Sequence, residues 1–344
     1  MDDLNQRQKQ ILQAIIEDYI TTAMPVGSRT ISKNFALSSA TIRNEMSDLE
    51  DLGYLEQPHT SAGRVPSEKA YRFYVDNLVK LSNLSLPEIE YIKAYYDKRI
   101  GQTGEVLADA ARVISELTQY VSIVTPPKVR NVNVSSIQLM QVNPMTAMVV
   151  LLTDTGMVQN TPITLPRSVT PDELDSMSKL LNRIFVGKSV NEIHPGAQYI
   201  VESEIADQKQ IFDTICAVLE ARLENADDRV VIDGASKMFS HQEFSDVKRA
   251  QGFLALLEEN KKLGELVSRD ENGVTVHIGQ ETGLGDVSIV TATYSAGERT
   301  LGKIGVIGPT RMQYDKVISV LDQVGKTLSD IFTETTSSEG KNEK

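Results

Sequence analysis

The stretch SSATIRNEMSDLEDLGYLEQPHTSAGRVPSEKAYRFY, residues 38–74, carries the pattern that decides the fold of the N-terminal part of the chain. Ser38 or Ser39 is placed to cap a helix, because a serine side chain accepts hydrogen bonds from the backbone N–H groups that a helix start leaves unpaired. Gly53 is placed to end it, since glycine readily adopts the left-handed conformation that follows a helix. Between them, three apolar residues recur at helical spacing: Ile42, Met46 and Leu49. The pattern predicts a helix with one buried face.

The opposite face of this helix is polar, with small or cationic groups in its first turns and carboxylates toward its end. The residues on this face are Ala40, Asn44, Ser47 and Asp51, with Thr41 and Arg43 at its borders. A methyl group can contact a thymine methyl, and a hydroxyl can bond to a phosphate or sugar. An amide can bond to the edge of adenine, and a guanidinium to a guanine or a phosphate. A solvated polar face on a structural helix is the other interpretation, and the helix taken alone leaves both open.

The residues that follow predict a β-hairpin and then a helix. Residues 54–57 and 64–66 are typical of two short strands, and residues 58–63 are typical of a turn. The turn region offers hydrogen-bond donors suited to a nucleic-acid backbone or minor groove: His59, Thr60, Ser61 and Arg64. A hairpin directly after the polar-faced helix predicts a wing, and the aromatic-rich segment 67–81 predicts a helix that packs this wing onto the rest of the chain.

Two further helices are predicted before the polar-faced one. Residues 5–20 show the apolar spacing of an amphipathic helix, which Pro25 and Gly27 do not continue. Ser28 is placed to cap a short second helix that runs through Phe35, and a connector of about three residues leads to the third. Two short helices joined by so tight a turn match the helix-turn-helix pattern.

The charge of the chain is unusual for a protein that contacts nucleic acid. The 344 residues carry a formal net charge of −12, and residues 1–80 contain nine Lys and Arg against eleven Asp and Glu. The segment from Thr21 to Asn44, however, has three cations and no acid. A local cationic patch can position a protein on DNA even when the whole molecule is acidic. We therefore expect weak non-specific affinity and discrimination through base contacts.

The composition argues against several other classes. No apolar run approaches the ~20 residues that span a bilayer, and the N-terminus lacks the basic and then apolar pattern of a signal peptide. The four histidines show no metal-ligand spacing, and the single cysteine, Cys216, lies beside an apolar helical face that predicts a buried, inert thiol. The glycine-rich segments 283–288 and 302–308 do not match a phosphate-binding loop. We predict a cytoplasmic protein that is not an enzyme, with no catalytic residue, metal, cofactor or membrane association.

The remaining residues predict an α+β arrangement of several domains. The apolar run 147–153 predicts a buried central strand, and further strands are expected at 157–163, at 229–234 and on both sides of a turn at 295–298. Helices are expected at 104–120, 171–185, 203–224, 243–267 and 313–332. The helix-rich stretch separates strands that must pair, which predicts an insertion. The apolar face of the helix at 203–224 suits either a core or a two-fold interface.

Three segments resemble the HrcA family of heat-inducible bacterial transcription repressors. They are PVGSRTISK at 25–33, SSATIRNEMSDLEDLGYLEQPHTSAGRVPSEKAYRFYVD at 38–76, and IGVIGPTRMQYDKVISVLDQV at 304–324. The resemblance implies a homodimeric winged-helix repressor that binds an inverted-repeat operator of the CIRCE type in double-stranded DNA upstream of chaperone genes. It further implies relief of repression on heat shock, dependence on a GroEL-type chaperonin, a GAF-like domain and an inserted dimerisation domain.

These observations give an explicit expectation for the domains and the site. The domains are a winged helix at 1–82, a GAF-like domain at 83–165 and 246–333, an inserted helix-rich dimerisation domain at 166–245, and an unstructured tail at 334–344. The DNA-binding candidates are Arg29, Thr30, Ser39, Ala40, Thr41, Arg43, Asn44, His59, Thr60, Ser61 and Arg64. A sensor that a small ligand switches, and a winged helix that binds only protein, are the competing hypotheses.

Overall fold

A computed structural model of the chain describes residues 4–59, 62–96, 103–128, 132–190, 209–226, 230–268 and 273–339. Its N-terminal part is a winged helix-turn-helix, as predicted. The elements are α1 (Gln6–Thr22), α2 (Ser28–Ser32), α3 (Ser39–Asp51), β1 (Leu55–Glu56), β2 (Val65–Pro66) and α4 (Glu68–Asn77). The two strands pair antiparallel. The apolar faces of α1, α3 and α4 form one core, in which Ile11, Ile42 and Leu49 are fully buried.

Helix α2 is shorter than the sequence predicted. Its N-cap is Gly27 rather than Ser28, and it ends at Ser32 rather than at Phe35. From Lys33 to Phe35 the backbone N–H groups bond to carbonyls two or three residues back, so the chain tightens into turns instead of continuing the α-helix. Phe35 nevertheless packs against the core.

A helix, α5 (Leu86–Tyr96), connects the winged helix to the rest of the described chain, which we call the body. Within the body, a five-stranded antiparallel sheet has the order β7-β3-β10-β9-β8, from β3 (Val121–Val124), β7 (Val231–Asp233), β8 (Thr275–His277), β9 (Val287–Ala296) and β10 (Arg299–Pro309). Helices α6 (Thr103–Thr118) and α11 (Tyr314–Glu339) cover one face, and α9 (Val247–Glu258) and α10 (Asn260–Val267) cover the other. The sheet is therefore sandwiched between two helical layers.

A second antiparallel sheet has the order β4-β5-β6, from β4 (Val134–Asn143), β5 (Thr146–Thr153) and β6 (Val158–Thr164). Helix α7 (Pro171–Phe185) packs on it, and α8 (Lys209–Ala226) follows. Strand β5 is central, as predicted, but only alternate residues of it are buried. The apolar run therefore covers one buried and one half-buried face, not two buried ones.

The two sheets show which strands pair across the helix-rich stretch. We expected strands on the two sides of the helix-rich stretch to pair. Strand β3 does so with β10, whereas β5 pairs with β4 and β6. The reason is topological, since β10 is already paired on both sides, with β3 and β9, and β5 follows β4 through a two-residue hairpin connection. The chain therefore leaves the five-stranded sheet after β3 and returns to it at β7.

The C-terminal helix is longer than predicted. Residues 334–339 belong to α11, where we expected an unstructured tail from residue 334. Threonines in this segment bond back to carbonyls one turn earlier, as Thr335 does to Ile331 at 2.9 Å and Thr336 to Phe332 at 3.0 Å. Within the described ranges, no helix combines the length and apolar character needed to cross a bilayer.

The apolar face of α8 belongs to the core of the chain itself. Phe212, Ile215 and Leu219 are buried, and the Phe212 ring stacks on Phe185 of α7 with ring centroids 6.4 Å apart. The side chain of Leu223, predicted to share this face, lies outside the described residues. Of the two interpretations of this face, the core is the one observed for the three described side chains.

Cys216 is buried beside this face, as predicted. Burial, and then the nearby carboxylates of Asp213 and Glu220, raise the pKa of its thiol to about 12. Since the thiolate is the reactive form, we expect the native protein at pH 8 to react with a thiol reagent on the order of a thousandfold more slowly than the unfolded chain. Absorbance of the released chromophore, with guanidinium-unfolded protein as the control, measures this. Labelling at the unfolded rate would contradict a buried thiol.

Candidate nucleic-acid interface

The candidate interface centres on α3. Ser38 is its N-cap, and the serine hydroxyl accepts a hydrogen bond from the backbone N–H of Thr41 at 3.1 Å and contacts the Thr41 hydroxyl at 2.9 Å. Because Ile42, Met46 and Leu49 are buried, the opposite face must point to solvent. The exposed residues there are Ala40, Arg43, Asn44, Ser47, Asp48 and Asp51. The amphipathic pattern predicted for this helix is confirmed.

Helix α2 adds further polar groups next to the start of α3. The hydroxyls of Ser28 and Ser39 are 3.1 Å apart, which holds the first turns of the two helices together. Arg29 and Thr30 follow Ser28 and are exposed. The first turns of α2 and α3 are thus adjacent, and Ser39 and Thr41 are half-buried.

The wing is held against the segment between α1 and α2. The backbone N–H and C=O of Arg64 bond to the C=O and N–H of Val26 at 2.9 and 2.8 Å. Gly63 makes this approach possible, because a Cβ added there would overlap the Val26 carbonyl and lie 2.8 Å from the carbonyl carbon of Pro25. His59 is exposed near the tip, whereas Thr60 and Ser61 lie outside the described residues.

Two acids of α3 are neutralised by cations from other elements. Arg7 of α1 contacts Glu45 at 3.2 Å, and Arg64 of the wing donates from Nε to Glu50 at 2.7 Å. Arg64 is therefore only half-exposed and bound to a carboxylate, where we predicted a wing side chain directed at phosphate. Sequence reasoning missed both pairs, because the partners are 38 and 14 residues apart and no local spacing links them.

The end of α3 is fixed by a further cation. Gly53 has a φ of 77°, and the N–H of Tyr54 bonds back to the C=O of Leu49 at 2.8 Å, which closes the helix. Lys69 of α4 donates to the C=O of Leu52 at 2.7 Å, and its ammonium lies 4.3 Å from the centre of the Tyr54 ring. The carbonyl end of the helix is thus satisfied by a cation, as the helix dipole favours.

Comparison with known proteins assigns the chain that carries this surface to a family. Residues 3–77 match the family model "Winged helix-turn-helix transcription repressor, HrcA DNA-binding", and residues 104–318 match "HrcA protein C terminal domain". A heat-inducible transcription repressor HrcA of Pelotomaculum thermopropionicum is 41% identical over 337 residues, which cover 96% of this chain and 97% of the relative. The chain belongs to the HrcA family of heat-inducible transcription repressors.

Other members of the HrcA family show similar agreement. The repressor of Desulforamulus reducens is 40% identical and covers 95% of this chain and 96% of its own, and that of Brevibacillus brevis is 40% identical with 96% and 98% covered. A solved structure described as a hypothetical protein has a TM-score of 0.66 and 25% identity, over 97% of this chain and all of that one. The winged helix is therefore the DNA-binding part of a repressor, and DNA is its partner.

All the candidate contact residues lie within the HrcA DNA-binding match. Seven of them lie on α2 and α3: Arg29, Thr30, Ser39, Ala40, Thr41, Arg43 and Asn44. Arg64 and His59 belong to the wing, and Arg64 is tied to the far half of α3 through Glu50. Four residues that position α3 and the wing were not among the predicted contact residues: Arg7, Glu45, Glu50 and Gly63.

Proposed function

We propose that this chain represses chaperone genes as a homodimer that binds an inverted-repeat operator of the CIRCE type. Each α3 enters a major groove with its N-terminal half first, so that Thr41, Arg43 and Asn44 meet base edges and Ala40 meets a thymine methyl. The observation that supports this is the exposed polar face of α3 in a winged helix that matches the HrcA DNA-binding model. A protein of this kind is a binding protein of the cytoplasm rather than an enzyme, and it needs no metal or cofactor.

The surrounding residues hold the DNA backbone in this proposal. Arg29, Thr30 and Ser39 face phosphates next to α3, and the wing contributes His59, Thr60, Ser61 and Arg64. The ion pairs of Glu45 and Glu50 reduce the negative charge that α3 would bring toward the duplex. The acidic total charge nevertheless keeps non-specific affinity low.

The proposal extends to the body and to heat control. The unit built on the five-stranded sheet serves as the GAF-like domain, and the three-stranded sheet with α7 and α8 serves as the inserted dimerisation domain. A GroEL-type chaperonin restores the active fold, and during heat shock its misfolded clients leave the repressor inactive. The support is the resemblance of the chain to the HrcA family.

Operator binding measures the central claim directly. The purified protein is titrated against a labelled inverted repeat and against a scrambled duplex of equal length, before and after mild heating, with and without chaperonin. We expect a clear preference for the inverted repeat, loss of binding after heating, and recovery when chaperonin and ATP are added. Equal binding to both duplexes would overturn the proposal, and equal activity in all four conditions would overturn its thermal part alone.

A variant of Arg64 tests whether the wing contacts the DNA backbone. Replacing it with alanine is expected to weaken binding to operator and scrambled DNA alike and to reduce the slope of log K against log salt by about 1, because one phosphate contact is lost. Fluorescence anisotropy at four salt concentrations measures both quantities. The matched control is Glu50→Gln, which removes the charge of the Arg64 partner but keeps the guanidinium. An unchanged slope in Arg64→Ala would remove this side chain from the phosphate contacts.

A further inference from the structure

The winged helix meets the body through polar contacts on α4 and through the backbone C=O of Ile20 on α1, which accepts a hydrogen bond from Arg311 at 2.7 Å. The Arg72 guanidinium donates from Nε to one Glu281 carboxylate oxygen at 3.0 Å and from Nη2 to the other. The same Nη2 donates to the backbone C=O of Val276 at 2.6 Å. Burial raises the pKa of Glu281, but the bonds from Arg72 and from the Ile278 N–H outweigh it and leave this pKa below its usual value. A two-pronged contact of this kind fixes direction as well as distance.

A second contact lies one helical turn away on the same face of α4. The carboxylate of Glu68 accepts a hydrogen bond from the backbone N–H of Gln280, 3.3 Å from either oxygen. Gly279, with a φ of 54°, lies directly against this carboxylate, and a Cβ added there would overlap it. Glu68 and Arg72 therefore hold one segment of the body, residues 276–281, along one side of α4.

The space beside these contacts is open. A cleft of about 560 Å³ separates the winged helix from the body, with Glu56 and Lys69 on one wall and Arg249 and Thr310 on the other. On its inner side, Tyr71 packs against Tyr314 with ring centroids 6.1 Å apart. Because no side chain fills the cleft, the angle between the two parts depends on the contacts around it.

We propose that the Arg72–Glu281 bridge, together with Glu68 and Gln280, is a latch that sets the angle of the winged helix on the body. Arg72 and Glu281 are thus positioning residues for operator recognition. This inference rests on the proposed function, because a dimer reads two half-sites whose separation must match that of its two recognition helices. A latch that fixes this angle in each protomer determines which half-site spacing the dimer accepts, without touching DNA itself.

Operators that differ in the spacing of their half-sites test the latch. The affinity of the full-length protein is measured for inverted repeats whose half-sites are moved apart or together by one and two base pairs, and for a single half-site. We expect the native chain to discriminate strongly between spacings. Glu281→Ala should reduce this discrimination by roughly fivefold, the scale of one partly exposed ion pair with its hydrogen bonds, and leave single half-site affinity unchanged.

The matched control removes the other partner of Arg72. Asp76 lies on α4 and contacts Arg72 at 3.4 Å without touching the body, so Asp76→Ala should keep the native spacing preference. The exchanged pair, Arg72→Glu with Glu281→Arg, should recover part of it. In the DNA-free protein, amide hydrogen exchange of Gln280 should rise in Glu281→Ala.

The outcomes separate the latch from the proposed function. Native spacing preference in Glu281→Ala, or equal losses on all spacings and on the single half-site, would overturn the latch and leave operator recognition standing. A native chain that binds the inverted repeat no better than scrambled DNA would overturn the proposed function. In that case, unchanged exchange at Gln280 in Glu281→Ala would overturn the latch as well.

Discussion

Replacing Asn44 with alanine is expected to reduce the discrimination between operator and scrambled DNA by ~1–3 kcal/mol, a factor of roughly 5 to 150 in the ratio of affinities. Asn44 is exposed on α3, one turn after Ala40 and next to Arg43. An asparagine amide offers a donor and an acceptor that match the edge of adenine, and alanine offers neither. Binding to scrambled DNA should change little, because the backbone contacts are kept.

The measurement is a pair of titrations at one salt concentration, since affinities for DNA depend steeply on salt. Asn83→Ala is the matched control, because it deletes the same amide from an exposed position after α4, outside the winged helix. If Asn44→Ala binds both duplexes with the native ratio, this residue does not read a base. An equal loss on both duplexes would assign it to the backbone contacts instead.

Replacing Gly63 with alanine is expected to destabilise the winged helix by about 1–3 kcal/mol, as overpacking a tight site does. The added Cβ overlaps the backbone of Val26 and Pro25, and a backbone cannot rotate away as a flexible side chain can. The wing must therefore move, which strains the two hydrogen bonds between Arg64 and Val26. Operator affinity should fall along with stability, because the wing tip no longer reaches its place beside α3.

Denaturant unfolding and operator titration measure the two effects on one preparation. Gly104→Ala serves as the control, because a Cβ at Gly104 meets no atom within 4 Å. A Gly63→Ala protein with native stability and native operator affinity would show that the wing tolerates displacement. Its close approach to Val26 would then have no part in DNA binding.

The helix that carries the candidate site is determined by short-range sequence. Ser38, Ile42 and Gly53 predict its start, its buried face and its end, because capping and helical periodicity act within about four residues. The order helix, hairpin, helix in residues 38–77 follows from similarly local signals. The exposed positions of Ala40, Arg43 and Asn44 come directly from this periodicity.

Predictions of strand partners and of helix ends were less successful. The apolar run of β5 was recognised as a strand, but an apolar pattern does not specify that its partners are β4 and β6. Helix α2 was predicted to be longer than it is, because the turns after Ser32 compete locally with the helix. The tail from residue 334 was expected to be unstructured, although α11 extends through it to Glu339.

The sequence by itself determined the winged helix, the polar face of α3 and membership of the HrcA family. Only the tertiary structure decided which carboxylates the arginines of the winged helix pair with. Arg64 pairs with Glu50 and Arg72 with Glu281, because folding brings together side chains that are 14 and 209 residues apart. Periodicity describes which way a side chain points from its own helix or strand. What it meets there depends on the packing of elements that no local pattern connects.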